Sequence, residues 1–461
     1  MRGQYENGIT NRVKSKRDTT RLLAFKILNR VLFGGAYPDL VLKSTFERNP
    51  DPNHLDKSLL TEIVYGVIRW LGKLDYIIAL FIERRVNKKE ILNILRIGLY
   101  QLLFLDSVPN YAAISETVDV AKGVFGERVA GFVNAILRGF LRSKENIRYP
   151  EKESSPISYI SVNHSFPQWL VEKWIDSFGL DFTERLCYSL NRIPPLTVRV
   201  NTLKTTRENL IQNIEDRDIE VIKTKYSPTG ISFLTGINPV EIPGFESGLF
   251  TVQDEGAQII SLLLNPRPGE RILDACSAPG GKSTHIAELM ENRGEIIACD
   301  INPSRLKLIE SQSRRLGVKI IKTICADASD KGFLEGERFD RILIDAPCSG
   351  LGTIRRNPDT KWKRTQNDIL ELSDIQFKIL SNVSARLKGN GTIIYSVCTL
   401  MPEENEGLIR RFLSSHPEFR IDLEIESNSY IKDFLDENGF FISNPIRHNM
   451  DGFFAVRMKK N

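Results

Sequence analysis

The chain has no apolar run of the ~18 residues that a membrane-crossing helix needs. Its longest candidate, residues 92–105, is interrupted by Arg96 and Gln101. The N-terminus is polar and lacks a hydrophobic signal region, so a cytoplasmic location is expected. Cysteine is sparse: the six, Cys187, Cys276, Cys299, Cys325, Cys348 and Cys398, form no C-x-x-C pair, and the five histidines are scattered. That spacing offers zinc no compact ligand set, so reduced thiols and no metal are expected. Net charge is also modest. At +5 it does not by itself indicate a polyanionic partner.

What is present is an ordinary globular composition, 41% hydrophobic and 26% charged, which argues against a disordered chain. The length of 461 residues exceeds one usual core, so two or three domains are expected. The distribution of charge says more than its sum. Arg12, Lys14, Lys16, Arg17, Arg21, Lys26 and Arg30 crowd the start, and Arg355, Arg356, Lys361, Lys363 and Arg364 crowd a later loop. Each run is compatible with a nucleic-acid contact and with a solvated face.

After a polar, basic arm, helical spacing dominates. Leu22, Phe25, Leu28 and Val31 form one apolar stripe, and Ile91, Ile94, Leu95, Leu99 and Leu102 another. Residues 1–145 are therefore expected to be an all-helical domain, and the polar stretch 146–160, with Pro150 and Pro156, a linker. Residues 161–255 mix a helical segment around Trp169 and Trp174 with short alternating strands, which predicts a small α+β domain. In residues 256–461 strand and helix alternate regularly, with strands expected to end at Cys276, Asp300, Asp327, Asp345 and Val397. Two further strands in the tail are expected to add antiparallel to the sheet. Such alternation implies a doubly wound α/β domain that binds ligands outside the carboxyl ends of its strands.

Residues 271–288, RILDACSAPGGKSTHIAE, read as a buried strand, a glycine loop and a helix. A Walker phosphate loop fails because its first glycine would fall on Cys276; a dinucleotide fingerprint fits poorly because Gly280 and Gly281 are adjacent. The remaining ligand reading is the S-adenosylmethionine (SAM) loop of a methyltransferase, whose helix-start amides hold the methionine carboxylate. Asp300, at the end of the next strand, is then the acid for the ribose. On the loop alone, a tight strand–helix connection without a ligand stays open.

Two cysteines follow strands directly. Cys348 lies in Asp345-Ala346-Pro347-Cys348 and Cys398 ends Ser396-Val397-Cys398, both on the expected ligand edge, whereas Cys299 and Cys325 lie inside strands and read as small buried hydrophobes. A thiol beside a methyl donor suits carbon 5 of cytosine. That carbon is a poor nucleophile until a thiolate adds to carbon 6 and turns the ring into an enamine. An acid near ring nitrogen 3 assists, and Asp345 is suitably placed. The basic loop 355–362 beside such a cleft suits a phosphate contact and stacking on an unstacked base through Trp362.

DACSAPGGKS, DAPCSGLGTIRRNPDTKW and YSVCTLMPEENE resemble three motifs of RNA cytosine-C5 methyltransferases. Residues 111–141, YAAISETVDVAKGVFGERVAGFVNAILRGFL, resemble the RNA-binding helical domain of the NusB antitermination factor, and residues 195–203, PLTVRVNTL, an RNA-facing segment that precedes the catalytic domain. Together they resemble the bacterial Sun, or B-type, small-subunit ribosomal RNA methyltransferases over nearly the whole chain.

The resemblance implies a NusB-like helical domain, an α+β RNA-facing domain and a Rossmann-like class I SAM-dependent methyltransferase domain. It implies SAM as cofactor, a monomer, and as partner unassembled or early-assembly ribosomal RNA, with cytosine 967 of the 16S RNA as target. By motif matching, Cys398 is the nucleophile and Cys348 assists release. Cys276, Ser277, Ala278, Pro279, Gly280, Gly281, Lys282, Asp300, Asp327 and Asp345 bind or border SAM, and Arg199 and Asn201 are exposed. DNA cytosine methyltransferases use a Pro-Cys nucleophile, so Pro347-Cys348 keeps the reversed assignment open. Val397 stands where many relatives have threonine, which removes a hydroxyl expected near the nucleophile. The rivals are an RNA-binding assembly factor with a non-catalytic SAM domain and a methyltransferase acting on transfer RNA or protein.

Overall fold

The computed structural model describes residues 19–49, 54–82, 88–423 and 430–460. Two compact units divide the chain, Met1–Ser165 and Phe166–Asn461. The described part of the first is helical, as its apolar stripes predict: α1 (Thr20–Leu32), α2 (Pro38–Arg48), α3 (His54–Arg69), α4 (Leu71–Phe81), α5 (Glu90–Phe104), α6 (Asn110–Phe125), α7 (Glu127–Ser143) and α8 (Pro156–Asn163). The central helix is α5, packed against α1, α3, α4, α6 and α7. Its two polar interruptions are buried because each is paired. Arg96 donates to both carboxylate oxygens of Asp75 at 2.7 and 2.8 Å, and Gln101 accepts from Arg21 Nε at 3.0 Å. Where α3 crosses α5 only glycine fits, since a Cβ on Gly66 would lie 1.9 Å from the Tyr100 ring.

The stretch expected to be a linker ends in α8, which Pro156 opens at its first turn and which packs on α4. Ser165 Oγ then accepts from Gly72 N–H at 2.9 Å, fastening the end of this segment to the same unit. Of the N-terminal basic run, Arg12, Lys14, Lys16 and Arg17 lie outside the described residues. Arg21 turns inward, while Lys26 and Arg30 are exposed.

The second unit opens with α9 (Gln168–Phe178) and α10 (Leu180–Leu190). An antiparallel sheet follows, built from β1 (Thr197–Val200), β2 (Val221–Lys223), β3 (Gly230–Phe233) and β4 (Phe250–Val252) in the order β2-β3-β1-β4. It shares an apolar core with Leu210 and Ile214 of α11 (Arg207–Glu215), as the expected α+β pattern requires.

After α12 (Glu255–Leu264) the alternation is β5 (Arg271–Asp274), α13 (Gly281–Leu289), β6 (Glu295–Asp300), α14 (Pro303–Leu316), β7 (Ile321–Cys325), β8 (Phe339–Asp345), α15 (Thr360–Lys363), α16 (Gln366–Ser384), β9 (Leu387–Val397) and α17 (Glu406–Ser415). The tail adds β10 (Phe419–Ile421), β11 (Phe440–Ser443), α18 (Pro445–His448) and β12 (Phe453–Lys460). Strand order is β10-β12-β9-β8-β5-β6-β7, with β11 on β12. The five strands from β5 to β9 run parallel, and the tail strands pair antiparallel, as expected.

Successive residues of the buried strands serve opposite faces. Leu273, Ile297 and Ile342 join the core under α16 and α17, while Ile272, Ile296 and Leu343 join that under α12, α13 and α14. Because β6 and β8 flank β5 on opposite sides, the chain reverses its strand order there, where open α/β sheets hold their ligands.

Two expectations fail on burial. Arg199 and Asn201 are fully buried rather than exposed. The Arg199 guanidinium crosses from β1 to α13, meeting Glu288 at 2.8 and 3.1 Å and donating to Gly281 C=O at 2.8 Å; Asn201 donates to Gly248 and Leu316 carbonyls at 2.8 Å. Both fasten the small sheet to the domain of the parallel sheet. Cys299 is buried as expected, but Cys325 is exposed because β7 is the edge strand.

Candidate active site

Strand β5 ends at Asp274, and the loop 275–280 is stapled to the end of β6. Ser277 donates to Cys299 C=O through both N–H and Oγ, at 2.8 and 2.9 Å. Asp300, nearly buried, accepts from Ala278 N–H at 3.3 Å and Asn302 N–H at 2.9 Å, with Arg305 3.6 Å away. Gly280 sits at φ +101°, and a Cβ there would press on Ile309 at 3.2 Å, so the turn into α13 requires glycine. The helix begins at Gly281, and its first-turn amides have no carbonyl partner within the helix.

Asp274 was not singled out from sequence, although it opens the quoted motif. It is fully buried; Ser283 Oγ donates to its Oδ2 at 2.6 Å, while Oδ1 has no partner. Burial pushes its carboxyl up to about 7, against the bond from Ser283. Burial likewise raises the Cys276 thiol well above its usual range, helped by the charges of Asp274, Asp345 and Asp300, so Cys276 stays protonated.

At the end of β8, Asp345 receives Lys282 Nζ at 2.6 Å on one oxygen and Ser396 Oγ at 2.9 Å on the other. Burial works against the Lys282 charge, but the Asp345 carboxylate outweighs it and raises the ammonium, with Cys398 adding to the effect. Cys348 and Cys398 are half-buried with their sulfurs 3.4 Å apart. The bond to Cys398 and then burial hold the Cys348 thiol well above its usual range. Cys348 therefore favours its protonated form, in hydrogen-bond contact with Cys398. Gly352 N–H donates to Cys398 C=O at 3.0 Å, joining the two loops.

The structure thus brings together the glycine loop, Lys282, Asp345, Cys348 and Cys398. Asp327 lies beyond β7 on the same edge, where its Oδ1 accepts from Ser329 N–H and Oγ at 2.8 and 2.7 Å. Val397 is buried in the apolar core shared with Tyr395 and Leu408, against which Cys348 also packs. The neighbouring hydroxyls are engaged elsewhere, Ser396 with Asp345 and Thr399 with Ser349.

The basic loop is not a phosphate-facing patch. Arg355 donates to Asn449 twice at 2.9 Å, and Arg356 pairs with Asp254 at 2.9 Å and Asp451 at 2.8 Å. Lys361 is fully buried, 3.1 Å from Asn191 Oδ1 and 3.9 Å from the Phe166 ring centroid, and Lys363 pairs with Asp359 at 3.0 Å. Arg364 donates to the carbonyls of Ser349 and Cys348 at 3.0 and 3.3 Å. These cations hold the loop beside the cysteines.

Residues 261–459 match the family of the 16S rRNA methyltransferase RsmB/F, residues 18–142 the NusB family, and residues 166–240 the ferredoxin-like domain of RsmF/B-like methyltransferases. A probable ribosomal RNA small subunit methyltransferase B of Bacillus subtilis is 36% identical over 453 residues, 96% of this chain and 99% of that one. The chain belongs to the ribosomal RNA small subunit methyltransferase B family.

A member from Salmonella dublin is 35% identical over 405 residues, 87% of this chain and 92% of its own. The crystal structure of PH0851 superposes with a TM-score of 0.80 at 28% identity, covering 96% of this chain and 99% of that one. NSun6 from Pyrococcus horikoshii, solved with the SAM analogue SFG, gives 0.58 at 25% identity over 64% of this chain and 99% of its own.

The family is SAM-dependent, and the chemistry of the loop fits that group. Unpaired amides at the start of α13 suit a carboxylate, the unpartnered buried Asp274 Oδ1 suits an ammonium, and Asp300 at a strand end suits a ribose. Among the described residues no group of three or more His, Cys, Asp or Glu could hold a metal ion, and no helix is long and apolar enough to cross a membrane.

Proposed function

We propose that the chain methylates carbon 5 of a cytosine in small-subunit ribosomal RNA, cytosine 967 of the 16S RNA, through a transient bond between Cys398 and carbon 6. The observation that carries this reading is the pair of cysteine sulfurs 3.4 Å apart at the ligand edge of the sheet. Methyl transfer to a nitrogen or hydroxyl has no use for two thiols there.

SAM supplies an electrophilic methyl. The α13 amides and Asp274 would hold its amino-acid end, and Asp300 its ribose. Cys398 adds as thiolate to carbon 6, moving electron density to carbon 5, which then attacks the methyl. Lys282 and Asp345 form a donor–acceptor pair for the base edge. After transfer solvent water takes the carbon-5 proton, its bonding pair re-forms the carbon 5–carbon 6 double bond, and the carbon–sulfur bond breaks with its pair returning to Cys398 as a thiolate beside the Cys348 thiol. The base must be unstacked to reach two half-buried thiols.

The test is incorporation of labelled methyl from SAM into small-subunit RNA taken from cells lacking this protein, with the product nucleotide mapped. A single 5-methylcytosine at the proposed position is expected. Label in another base, in transfer RNA or in protein would overturn the reading.

A further inference from the structure

Glu404 lies inside the motif that carries Cys398, yet neither the motif reading nor the mechanism gives it a task. Its carboxylate is fully buried, and no cation pairs with it among the described residues. Burial raises its pKa, so the fold holds this acid against a desolvation cost.

Every neighbour is a donor. Oε1 accepts from Ser349 N–H at 2.8 Å and from Gln376 Nε2 at 2.9 Å, and Oε2 accepts from Ser349 Oγ. Ser349 Oγ and Thr399 Oγ1 are themselves 2.7 Å apart. A carboxylate accepts all three bonds at once; an amide could keep the two N–H donors on its oxygen only by turning its NH₂ to the Ser349 hydroxyl and reversing that bond. Ser349 follows Cys348 and Thr399 follows Cys398, so Glu404, itself in the Cys398 segment, holds Ser349 directly and Thr399 through the Ser349 hydroxyl, joining two loops fifty positions apart beside the thiols. Gln376 extends the grip, donating also to Pro347 C=O at 2.9 Å while accepting from Tyr395 Oη at 3.1 Å.

We propose that Glu404 is the positioning residue of this site: it clamps the loop of Cys348 onto the loop of Cys398, and so sets their separation and which of them holds the proton. Its charge acts in the same direction as the clamp, adding to the hydrogen bond and burial that keep Cys348 protonated. The inference rests on Cys398 and Cys348 being the working pair of the proposed reaction.

The test is site-resolved alkylation of the ligand-free full chain with iodoacetamide, read by mass spectrometry, alongside steady-state methylation. In the native protein Cys398 should react before Cys348. Glu404→Gln should narrow that preference by about tenfold and lower kcat by about as much, the size expected for charge-assisted hydrogen bonds, with SAM affinity unchanged. A purely structural role would leave the order of alkylation alone. Ser349→Ala, which removes one arm of the clamp, should shift the order the same way by less, and it decides the matter if Glu404→Gln does not fold. An unchanged alkylation order in the folded variants overturns the proposal. If the order shifts but the native protein makes no 5-methylcytosine, the clamp stands and the reading of the reaction falls.

Discussion

The glycine loop and the basic loop both read from sequence as ligand contacts, and the structure separates them. Around the glycine loop Ser277 bonds to the neighbouring strand, while the amides at the start of α13 and one oxygen of the buried Asp274 stay available. In residues 355–364 each named cation is engaged by the protein itself, Arg356 with two carboxylates and Lys361 with Asn191 and Phe166. Residue type alone did not distinguish the two. Polar groups signal a ligand when the fold leaves them unspent, and Arg355 through Arg364 are spent on holding the Cys348 loop.

The largest effects should come from the thiols that this loop supports. Cys398→Ala should abolish turnover, and Cys348→Ala should accumulate a protein–RNA adduct that survives denaturing electrophoresis. An adduct on Cys398→Ala instead would exchange the two roles, as the Pro-Cys arrangement of DNA methyltransferases allows.

Arg356→Met tests the structural reading of the basic loop. It strands Asp254 and nearly buried Asp451, and breaking such a pair costs about 3 kcal/mol. The carboxyl of Asp451 already stands at about 7, raised by burial and by Asp254. A carboxyl raised on folding takes up a proton at low pH, so the loss of melting temperature should be smaller at pH 6 than at pH 8. The dependence of RNA affinity on salt should not change; a slope reduced by about one unit would mean that Arg356 contacts a phosphate after all.

On the glycine-loop side, Asp300→Ala should weaken SAM binding by about ten- to a hundredfold, the size of hydrogen bonds to a charged group, and leave RNA binding intact. Unchanged SAM affinity by calorimetry would remove Asp300 from the site.

These contrasts also show what sequence could reveal. Cys276, Asp300, Asp345 and Cys398 were legible because a buried strand in a parallel sheet is an apolar run, and its end marks the ligand edge. The roles of Arg199, Asn201 and Lys361 were not legible, because their partners are distant in sequence: Glu288 lies 89 positions from Arg199, and Asn191 lies 170 from Lys361. Cys325 was misread because the pattern of β7 does not reveal that it is the edge strand. Asp274 was hidden for another reason: its importance lies in one unpartnered oxygen, which only packing creates.

That oxygen gives the smallest and most specific prediction. The Asp274 carboxyl stands at about 7 through burial, with Ser283 and Lys282 favouring its charged form and Asp345 and Asp300 opposing it. A SAM ammonium placed against it favours the carboxylate, so binding should release the proton that Asp274 holds below that pH. Affinity should rise several-fold from pH 6 to 7.5 as the carboxyl ionises, then fall as the α-amino group, with a pKa of about 7.7–8.0, loses its own proton. Asp274→Asn keeps an acceptor for Ser283 and removes the titration, so its affinity should be lower and should show only the falling limb. Identical pH profiles for the two proteins would mean that the free oxygen of Asp274 does not meet the ammonium.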